Sequence, residues 1–227
     1  MSTIVFASSK GGAGKTTASI ILASEFARQG LLKNISIALI DADPNQHSAK
    51  WSAKQGCPTN INIIPNSNEE SIIDDIESAC QNNAFVIVDL EGTASMSVAS
   101  AISRADLVII LCQGSQDDAD EAIKTIKLIK RQERLLNRKI AFAVLLTRTN
   151  PAIKPRTLTY IINEFQNAGI EIFKSSLIDR EAYRAIRSFG GTIDNLDQKE
   201  VSGKIRAIDN AVAFAEEVKL KLLNLRK

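Results

Sequence analysis

A glycine-rich segment near the start of the chain has the residue types that bind phosphate. It follows the apolar run Thr3–Ala7 and consists of Lys10, Gly11, Gly12, Ala13, Gly14, Lys15, Thr16 and Thr17. Glycines let backbone N–H groups approach an oxyanion, and a helix that begins near Lys15 directs the positive end of its dipole to the same point. In such a loop the lysine neutralises β- and γ-phosphate oxygens and the Thr16 hydroxyl binds Mg²⁺. We therefore expect all eight residues to contact a nucleotide.

This loop departs from the strict pattern G-x-x-x-x-G-K-[ST], because Ser9 occupies the position of the first glycine. It resembles the deviant P-loop of the ParA/MinD family, whose extra lysine, Lys10 here, reaches the nucleotide of the partner subunit in an ATP-sandwich dimer. The resemblance implies ATP and Mg²⁺ as cofactors, a homodimer, and catalytic roles for Lys10 and Lys15. The alternative is a glycine turn that binds nothing; the motif requires a strand before the loop and a helix after it.

Two aspartates follow the second apolar run, in the order Asp41-Ala42-Asp43-Pro44. Pro44 disfavours the α-helical conformation for Asp43 and so ends the strand in a rigid turn. The segment resembles the family's D-x-D-P motif, which implies that Asp43 positions the attacking water and that Asp41 supports the metal shell. The alternative is that the pair caps the helix that follows.

A further acid, Asp89, follows the apolar run Phe85–Val88. This resembles a Walker B strand, which implies that Asp89 holds a water on Mg²⁺, so the expected metal set is Thr16, Asp41 and Asp89. The residues after it, Glu91 among them, depart from the Thr-Pro-Pro of many family members. Glu91 is thus an extra carboxylate beside the expected γ-phosphate position. We interpret it as a solvated loop residue or a helix-cap partner, with tuning of water activation or of Mg²⁺ affinity as the alternative, and leave it outside the catalytic set.

A third strand end, which contains Thr147, Arg148, Asn150 and Pro151, resembles the T-R-x-N-P segment of MinD-like proteins near the nucleotide base. An asparagine amide is chemically suited to pair with N6 and N7 of adenine. Arg148 and Asn150 are therefore predicted to bind ATP, with Thr147 as an alternative. The sequence lacks the N-K-x-D motif of guanine sites, which favours ATP over GTP.

Short apolar runs alternate with helical patterns along the whole chain. Near-continuous apolarity is typical of parallel strands buried on both faces, so we predict a doubly wound α/β fold, with a mostly parallel sheet and helices on both faces. Such sheets bind ligands beyond the carboxyl ends of their strands, which is where the motifs fall. The predicted strands are Thr3–Ala7, Ile35–Ile40, Ile61–Ile64, Phe85–Val88, Leu107–Leu111, Ala141–Leu146 and Ile170–Phe173. The predicted helices are Thr16–Gln29, His47–Gln55, Glu69–Asn82, Ser95–Arg104, Asp117–Arg138, Thr157–Ala168, Arg180–Ser188 and Val201–Leu225.

Length and composition favour one domain over residues 1–227, which the family resemblance implies is a P-loop ATPase domain, and we expect no N-terminal DNA-binding domain before the first strand. The net charge is +2, so any nucleic-acid or membrane contact has to use local patches. Three widely spaced cysteines fit a reducing cytosol and provide no paired cluster ligands, which excludes a nitrogenase-reductase-like electron carrier. The sequence has neither a secretory signal nor an apolar run long enough to span a membrane, and we expect a cytoplasmic, nucleoid-associated protein.

Two helices carry rows of basic residues. Arg180, Arg184 and Arg187 have 4-3 spacing, in a segment that the family resemblance places near the dimer interface, where arginines are implicated in ATP-dependent DNA binding. These three are the predicted DNA contacts. A second basic row is read as a solvated amphipathic face or, alternatively, as a surface for non-specific DNA. It comprises Lys124, Lys127, Arg131, Arg134 and Arg138.

Two other features are assigned structural roles. Trp51 and the lone His47 are expected to pack, because one histidine without partners is poor evidence for a metal or for base catalysis. The last helix ends in Val218–Lys227, which follows Glu216 and Glu217 and lacks large aromatic residues. We expect it to pack on the sheet and expect no membrane partner.

The closest resemblance is to short ParF-like plasmid partition ATPases and to the related VirC-type ATPase of T-DNA transfer. It implies that ATP and Mg²⁺ drive dimerisation, that the dimer binds DNA non-specifically, and that a ParB-like centromere-binding protein stimulates hydrolysis and release. Basal turnover is expected to be slow. Two alternatives stay open: a MinD-like positioning ATPase that acts on a membrane or protein cargo, and a metabolic P-loop enzyme with a small-molecule acceptor.

Overall fold

The computed structural model describes residues 1–93, 95–153, 155–197, 199 and 201–226. Its strands are Ser2–Ala7 (β1), Ile37–Ala42 (β2), Ile61–Ile64 (β3), Phe85–Leu90 (β4), Leu107–Cys112 (β5), Ala141–Thr149 (β6) and Leu177–Ile178 (β7). Its α-helices are Lys15–Gly30 (α1), His47–Ser52 (α2), Ile72–Asn82 (α3), Met96–Ser103 (α4), Gln116–Leu136 (α5), Arg156–Asn167 (α6), Glu181–Phe189 (α7) and Lys204–Asn224 (α8).

The strands form one sheet in the order β3-β2-β4-β1-β5-β6-β7, and every paired strand runs parallel to its neighbour. The glycine loop therefore leaves from β1 in the middle of the sheet, between β4 and β5. In this register Asp41 of β2 lies directly beside Asp89 of β4, and Asp89 lies beside Phe6 of β1. The doubly wound α/β fold predicted from the sequence is confirmed.

Alternation along β1 divides the core into two layers. Ile4 and Phe6 face the side covered by α1, α7 and α8, whereas Val5 and Ala7 face the side covered by α3, α4, α5 and α6. Successive side chains of a strand point to opposite faces, so a strand covered on both sides has to be apolar at every position. This accounts for the unbroken apolar runs in the sequence.

The prediction of a strand over Ile170–Phe173 is wrong. This segment makes only an isolated bridge from Ile172 to Val144, and the seventh strand is the later pair Leu177–Ile178. The predicted strand does reach β6, since the backbone N–H of Val144 donates to Glu171 and that of Phe173 donates to Val144. Its pairing stops there, because Phe173 turns into the core beside Phe214.

Helix α8 covers one face of the sheet through Phe214, Ala215 and Val218, which are fully buried. This agrees with the expectation of a packed last helix, although Lys227 lies outside the described residues. No helix in the described part of the chain combines the length and apolarity needed to cross a membrane.

Candidate nucleotide site

The glycine loop connects β1 to α1 in the way that the phosphate motif requires. Gly12 has a φ of 78° and Gly14, the residue before the helix, has a φ of 102°. Side chains with a Cβ rarely adopt these values, so the two glycines are needed for the shape of the loop. The strand before the loop and the helix after it are both present, as the motif requires, and phosphate binding by the loop stays a prediction.

The ends of three other strands hold this loop in place. The Thr147 hydroxyl donates to the carbonyl of Ala13 at 2.9 Å, and the Gln113 amide donates to the carbonyl of Gly12 at 3.0 Å. Gly92 approaches so closely that a Cβ there would lie 2.8 Å from the nitrogen of Gly11. No sequence motif marks Gln113 or this contact of Gly92, because both depend on which strands flank β1.

Lys15 and Thr16 lie at the start of α1 and are 6% and 8% exposed. The Lys15 ammonium donates to the carbonyl of Lys10 at 3.3 Å. Burial lowers the pKa of Lys15, and nearby carboxylates, chiefly Asp89, oppose this shift. Both residues line a cavity of about 380 Å³ together with the loop glycines, Asp43 and Glu91. We call it the phosphate cavity, after the group that the loop is predicted to bind.

Asp41 is fully buried and both of its carboxylate oxygens accept backbone hydrogen bonds. The donors are the N–H groups of Asp43, at 3.2 Å, and Ala49, at 2.8 Å in the first turn of α2. Asp41 therefore anchors α2, as the capping alternative proposed, and it does not line the phosphate cavity. Its place in the metal shell stays a prediction.

Asp89 is also fully buried, and burial raises the pKa of its carboxyl to about 7. One oxygen accepts a hydrogen bond from the Ser48 hydroxyl at 2.8 Å, while the other has no partner among the described residues. An unpaired carboxylate oxygen near the Thr16 hydroxyl can act as a ligand of Mg²⁺ or can accept a hydrogen bond from a water bound to Mg²⁺. The oxygen donors present thus fit a magnesium site.

Asp43 lies at the phosphate cavity itself, in contrast to Asp41. One Asp43 carboxylate oxygen accepts two hydrogen bonds from Asn45, from the backbone N–H at 2.8 Å and from the side-chain amide at 2.9 Å. These bonds hold the carboxylate in the turn before α2. Glu91 lines the same cavity, and its role there stays a prediction.

Lys10 does not line the phosphate cavity of its own chain. Its ammonium lies 2.9 Å from Asp118 in the first turn of α5, and the hydrogen bond and charge of Asp118 raise the Lys10 pKa. Asp118 is itself buried and held by Ser115, the residue that caps α5. The Lys10 side chain is 45% exposed, which leaves it accessible to a second subunit.

A second cavity, of about 630 Å³, adjoins the first and shares Gly14, His47, Arg148 and Arg187 with it. Thr17 lines this second cavity. Arg148 has a φ of 52°, an uncommon backbone conformation for a residue with a side chain and one that is often found at functional sites.

Asn150 lies elsewhere. It lines a separate cavity beside α6, and its side-chain oxygen accepts from the backbone N–H groups of Ala152, at 2.8 Å, and Ile153, at 3.2 Å. The carboxamide is therefore used to close a turn. Of the two predicted base ligands, the structure brings Arg148 to the P-loop and keeps Asn150 away, so adenine recognition by Asn150 stays a prediction.

The α7 arginines, Arg180 at the N-cap of α7 and Arg184 and Arg187 within it, line the second cavity, and Arg184 is also exposed to solvent. The opposite side of α7 is buried through Ala182, Tyr183, Ala185 and Ile186. Arg184 pairs with Asp179 and Glu181, whereas Arg187 reaches the phosphate cavity as well.

Arg138 of the second basic row follows the end of α5. It is exposed, and its guanidinium donates to the carbonyls of Ser103 and Ala105 at the end of α4.

Helix α2 holds the end of α7 from the other side. The Trp51 indole N–H donates to the carbonyl of Gly191 at 2.9 Å, and the Lys54 ammonium donates to the last carbonyls of α7, those of Arg187 at 2.7 Å and Ser188 at 2.9 Å. Trp51 is 1% exposed, so its expected packing role is confirmed. Because Ser48 and Ala49 bind the buried carboxylates, α2 links those acids to α7.

Comparisons with known proteins agree with this geometry. The chain is 38% identical over 222 residues to Protein ParA of Rhizobium radiobacter, covering 98% of each chain. Among solved structures it resembles Cyanothece McdA in an ATP complex, with a TM-score of 0.71 and 17% identity over 93% of this chain and 96% of that one. It also resembles cobyrinic acid a,c-diamide synthase of Mycobacterium smegmatis with bound ATP analogue and magnesium.

The likeness to the cobyrinic acid a,c-diamide synthase has a TM-score of 0.67 and 14% identity, over 83% of this chain and 92% of the synthase chain. At such identities both structural likenesses support the fold and not a particular activity. The family described as "VirC1 protein" matches residues 1–223. Since that match spans nearly the whole sequence and includes the glycine loop and all the carboxylates of the site, the chain belongs to the VirC1 protein family.

Proposed function

We propose that this chain is a ParA-type partition ATPase that binds ATP and Mg²⁺, dimerises, binds DNA without sequence preference and is released by hydrolysis. The observation that carries the proposal is the strand, glycine loop and helix that present Lys15 and Thr16 to a cavity containing Asp43, with Asp89 buried behind them. Membership of the VirC1 family and the ParA relative support the partition class over a metabolic P-loop enzyme.

The residues around the cavity have separable tasks. The loop N–H groups and Lys15 hold the β- and γ-phosphates, and the Thr16 hydroxyl and the free oxygen of Asp89 hold the metal or its water. Asp43 orients the attacking water. Bound Mg²⁺ supplies charge neutralisation of the phosphates, and positioning by the chain supplies most of the remaining catalysis.

Dimerisation places Lys10 in the partner's site. Its exposed side chain has to leave Asp118 to do so, and a partner nucleotide offers a stronger counter-charge than one carboxylate. The proposed downstream partners are nucleoid DNA, contacted through Arg180, Arg184 and Arg187, and a ParB-like centromere-binding protein that stimulates slow basal hydrolysis. The basic row of α5 is the alternative DNA surface.

The test is binding to a random-sequence DNA duplex at moderate salt with ADP, with ATP, and with ATP plus the Asp43→Ala change. We expect binding that requires ATP, persists in Asp43→Ala and falls steeply with added salt, because such contacts are to phosphates. Absence of binding in every state would contradict the DNA part of the proposal and would direct the search to a protein cargo, a membrane or a small-molecule acceptor.

Replacing all three α7 arginines by alanine then identifies the DNA surface. We expect weaker DNA binding with folding intact. The matched comparison is the triple change of Lys124, Lys127 and Arg131 to alanine on α5. Loss of DNA binding in the α5 variant alone would show that α5, and not the α7 arginines, contacts DNA.

A further inference from the structure

Arg187 differs from the other α7 arginines in where it lies. It lines the phosphate cavity, together with Gly12, Lys15 and Thr16, as well as the adjoining cavity. Arg180 and Arg184 line only the adjoining one. Helix α7 is distant in sequence from the glycine loop, so no local motif marks this residue.

The neighbours of each arginine sharpen the difference. Arg184 is exposed and its guanidinium pairs with Asp179 and Glu181, at 2.5 Å and 2.9 Å. Within the residues that the structure describes, no carboxylate forms an ion pair with Arg187, which is half-buried. A partly desolvated guanidinium without a counter-ion, at a cavity lined by a P-loop, is suited to receive an anion.

The backbone at Arg187 is fixed by contacts with α2. Lys54 binds the carbonyls of Arg187 and Ser188, and Trp51 binds the carbonyl of Gly191. A Cβ on Gly190 would lie 2.4 Å from the Cβ of Lys54, which shows how closely the two segments approach. The end of α7 is thus held at a set position next to the phosphate loop, as a positioned ligand-binding residue requires.

The charges in the cavity also favour a cation at this place. Asp43 and Glu91 lie there with Lys15 and Arg148. A nucleoside triphosphate adds about four negative charges, of which one Mg²⁺ neutralises two, so a further cation is needed to balance the filled site. Arginine binds phosphate through two parallel N–H donors and is suited to this role.

We propose that Arg187 binds a phosphate group of the nucleotide held in its own subunit. This inference rests on the proposed function, because it requires that the cavity binds a nucleoside triphosphate. Replacing Arg187 then lowers nucleotide affinity in addition to removing the proposed DNA contact, whereas Arg206, on the exposed side of α8, belongs to neither site.

The test is equilibrium binding of ATP and of adenosine, measured by calorimetry with Mg²⁺ and without DNA, for wild type, Arg187→Ala, Arg187→Lys and the matched control Arg206→Ala. We expect Arg187→Ala to weaken ATP binding by about tenfold or more, the size typical of a lost charged hydrogen bond. Adenosine binding should change less than about twofold, Arg187→Lys should recover part of the loss, and Arg206→Ala should bind ATP like wild type.

Equal ATP affinities for Arg187→Ala and Arg206→Ala would overturn the inference while leaving the proposed function intact, provided that wild type binds ATP and Lys15→Ala does not. A wild-type chain that fails to bind ATP would overturn both. Arg187→Gln keeps the aliphatic stem and is expected to show the same loss as Arg187→Ala. Thermal unfolding without nucleotide should be the same for all these variants, so that a folding defect is not read as lost contact.

Discussion

The two sides of the nucleotide cavity are built in different ways. The glycine loop is a continuous stretch between β1 and α1, and its shape follows from glycines at left-handed φ values. The other rim comes from the end of α7, which is held by Trp51 of α2 and by Lys54 just after α2, more than a hundred residues away in the chain. The loop is therefore encoded locally and visible as a motif, whereas the rim depends on tertiary packing and can be lost without any change in the motif.

The largest expected effect is on the loop side. Lys15→Ala removes the buried ammonium that we propose binds the β- and γ-phosphates, and we expect ATP affinity to fall at least about a hundredfold. Lys33→Ala, at the exposed end of the turn after α1, is the control and should bind ATP normally. Direct titration with a fluorescent ATP analogue measures both. Retained affinity in Lys15→Ala would refute the loop as the phosphate site.

A change outside the motif should damage the loop almost as much. Gly92→Ala places a Cβ 2.8 Å from the nitrogen and 2.9 Å from the Cα of Gly11, so the backbone of the loop has to move. We expect about a tenfold or greater loss of ATP affinity, since positioned contacts tolerate little displacement. Gly114→Ala is the matched control, because its Cβ would meet only Leu158 at 3.6 Å, an ordinary contact. Equal affinities in the two variants would mean that the loop adapts to the Cβ.

On the rim side the expected effect is smaller. Trp51→Phe keeps an aromatic ring but loses the hydrogen bond to Gly191, at a cost of about 1 kcal/mol in the free energy of unfolding. If α2 holds the end of α7, ATP affinity should fall a few-fold. Tyr160→Phe, on the exposed face of α6, controls for loss of a polar aromatic group. Chemical denaturation followed by circular dichroism measures stability. Normal ATP binding in Trp51→Phe would mean that the hold of α2 on α7 does not affect the nucleotide site.

The smallest expected effect is on thermal stability, and it tests Asp89, the buried acid next to both sides of the nucleotide cavity. Asp89→Asn removes a carboxyl group whose burial is unfavourable for its charged form, while an acceptor for Ser48 is kept. Without Mg²⁺ and nucleotide, the unfolding temperature should rise by about 2–4 °C per kcal/mol gained. Asp209→Asn on the exposed face of α8 should leave it unchanged. A lower melting temperature for Asp89→Asn would show that its charge is stabilised by the protein.

Much of the site could be predicted because parallel topology brings strand ends together. Asp41 and Asp89 follow apolar runs, and adjacent strands then place them side by side at the carboxyl edge. The motif resemblance could not tell that Asp41 is fully engaged by backbone N–H groups while Asp43 lies at the cavity. That division of roles depends on how α2 leaves the sheet.

Some features of these residues could not be predicted, because tertiary packing or a local turn decides them. The 4-3 spacing of the α7 arginines correctly puts them on one face of a helix, but spacing does not show what lies opposite, and here they line the second cavity. Asn150 has a suitable side chain for adenine, and in the structure that side chain closes a local turn, as short polar side chains often do. Strand β7, Leu177–Ile178, is too short to show a hydrophobic pattern from which a strand could be predicted.

The position of β1 in the middle of the sheet has a consequence for synthesis of the protein. The glycine loop is among the first residues to be made, but the strands on both sides of it, β4 and β5, end at Leu90 and Cys112. The Thr147 brace and the α7 rim come later still. Pairing between such distant segments is slow, because chain closure has to precede the contacts that stabilise it. A growing chain on the ribosome therefore carries its phosphate motif long before it can hold a nucleotide, and ATP can stabilise only chains that are nearly full length.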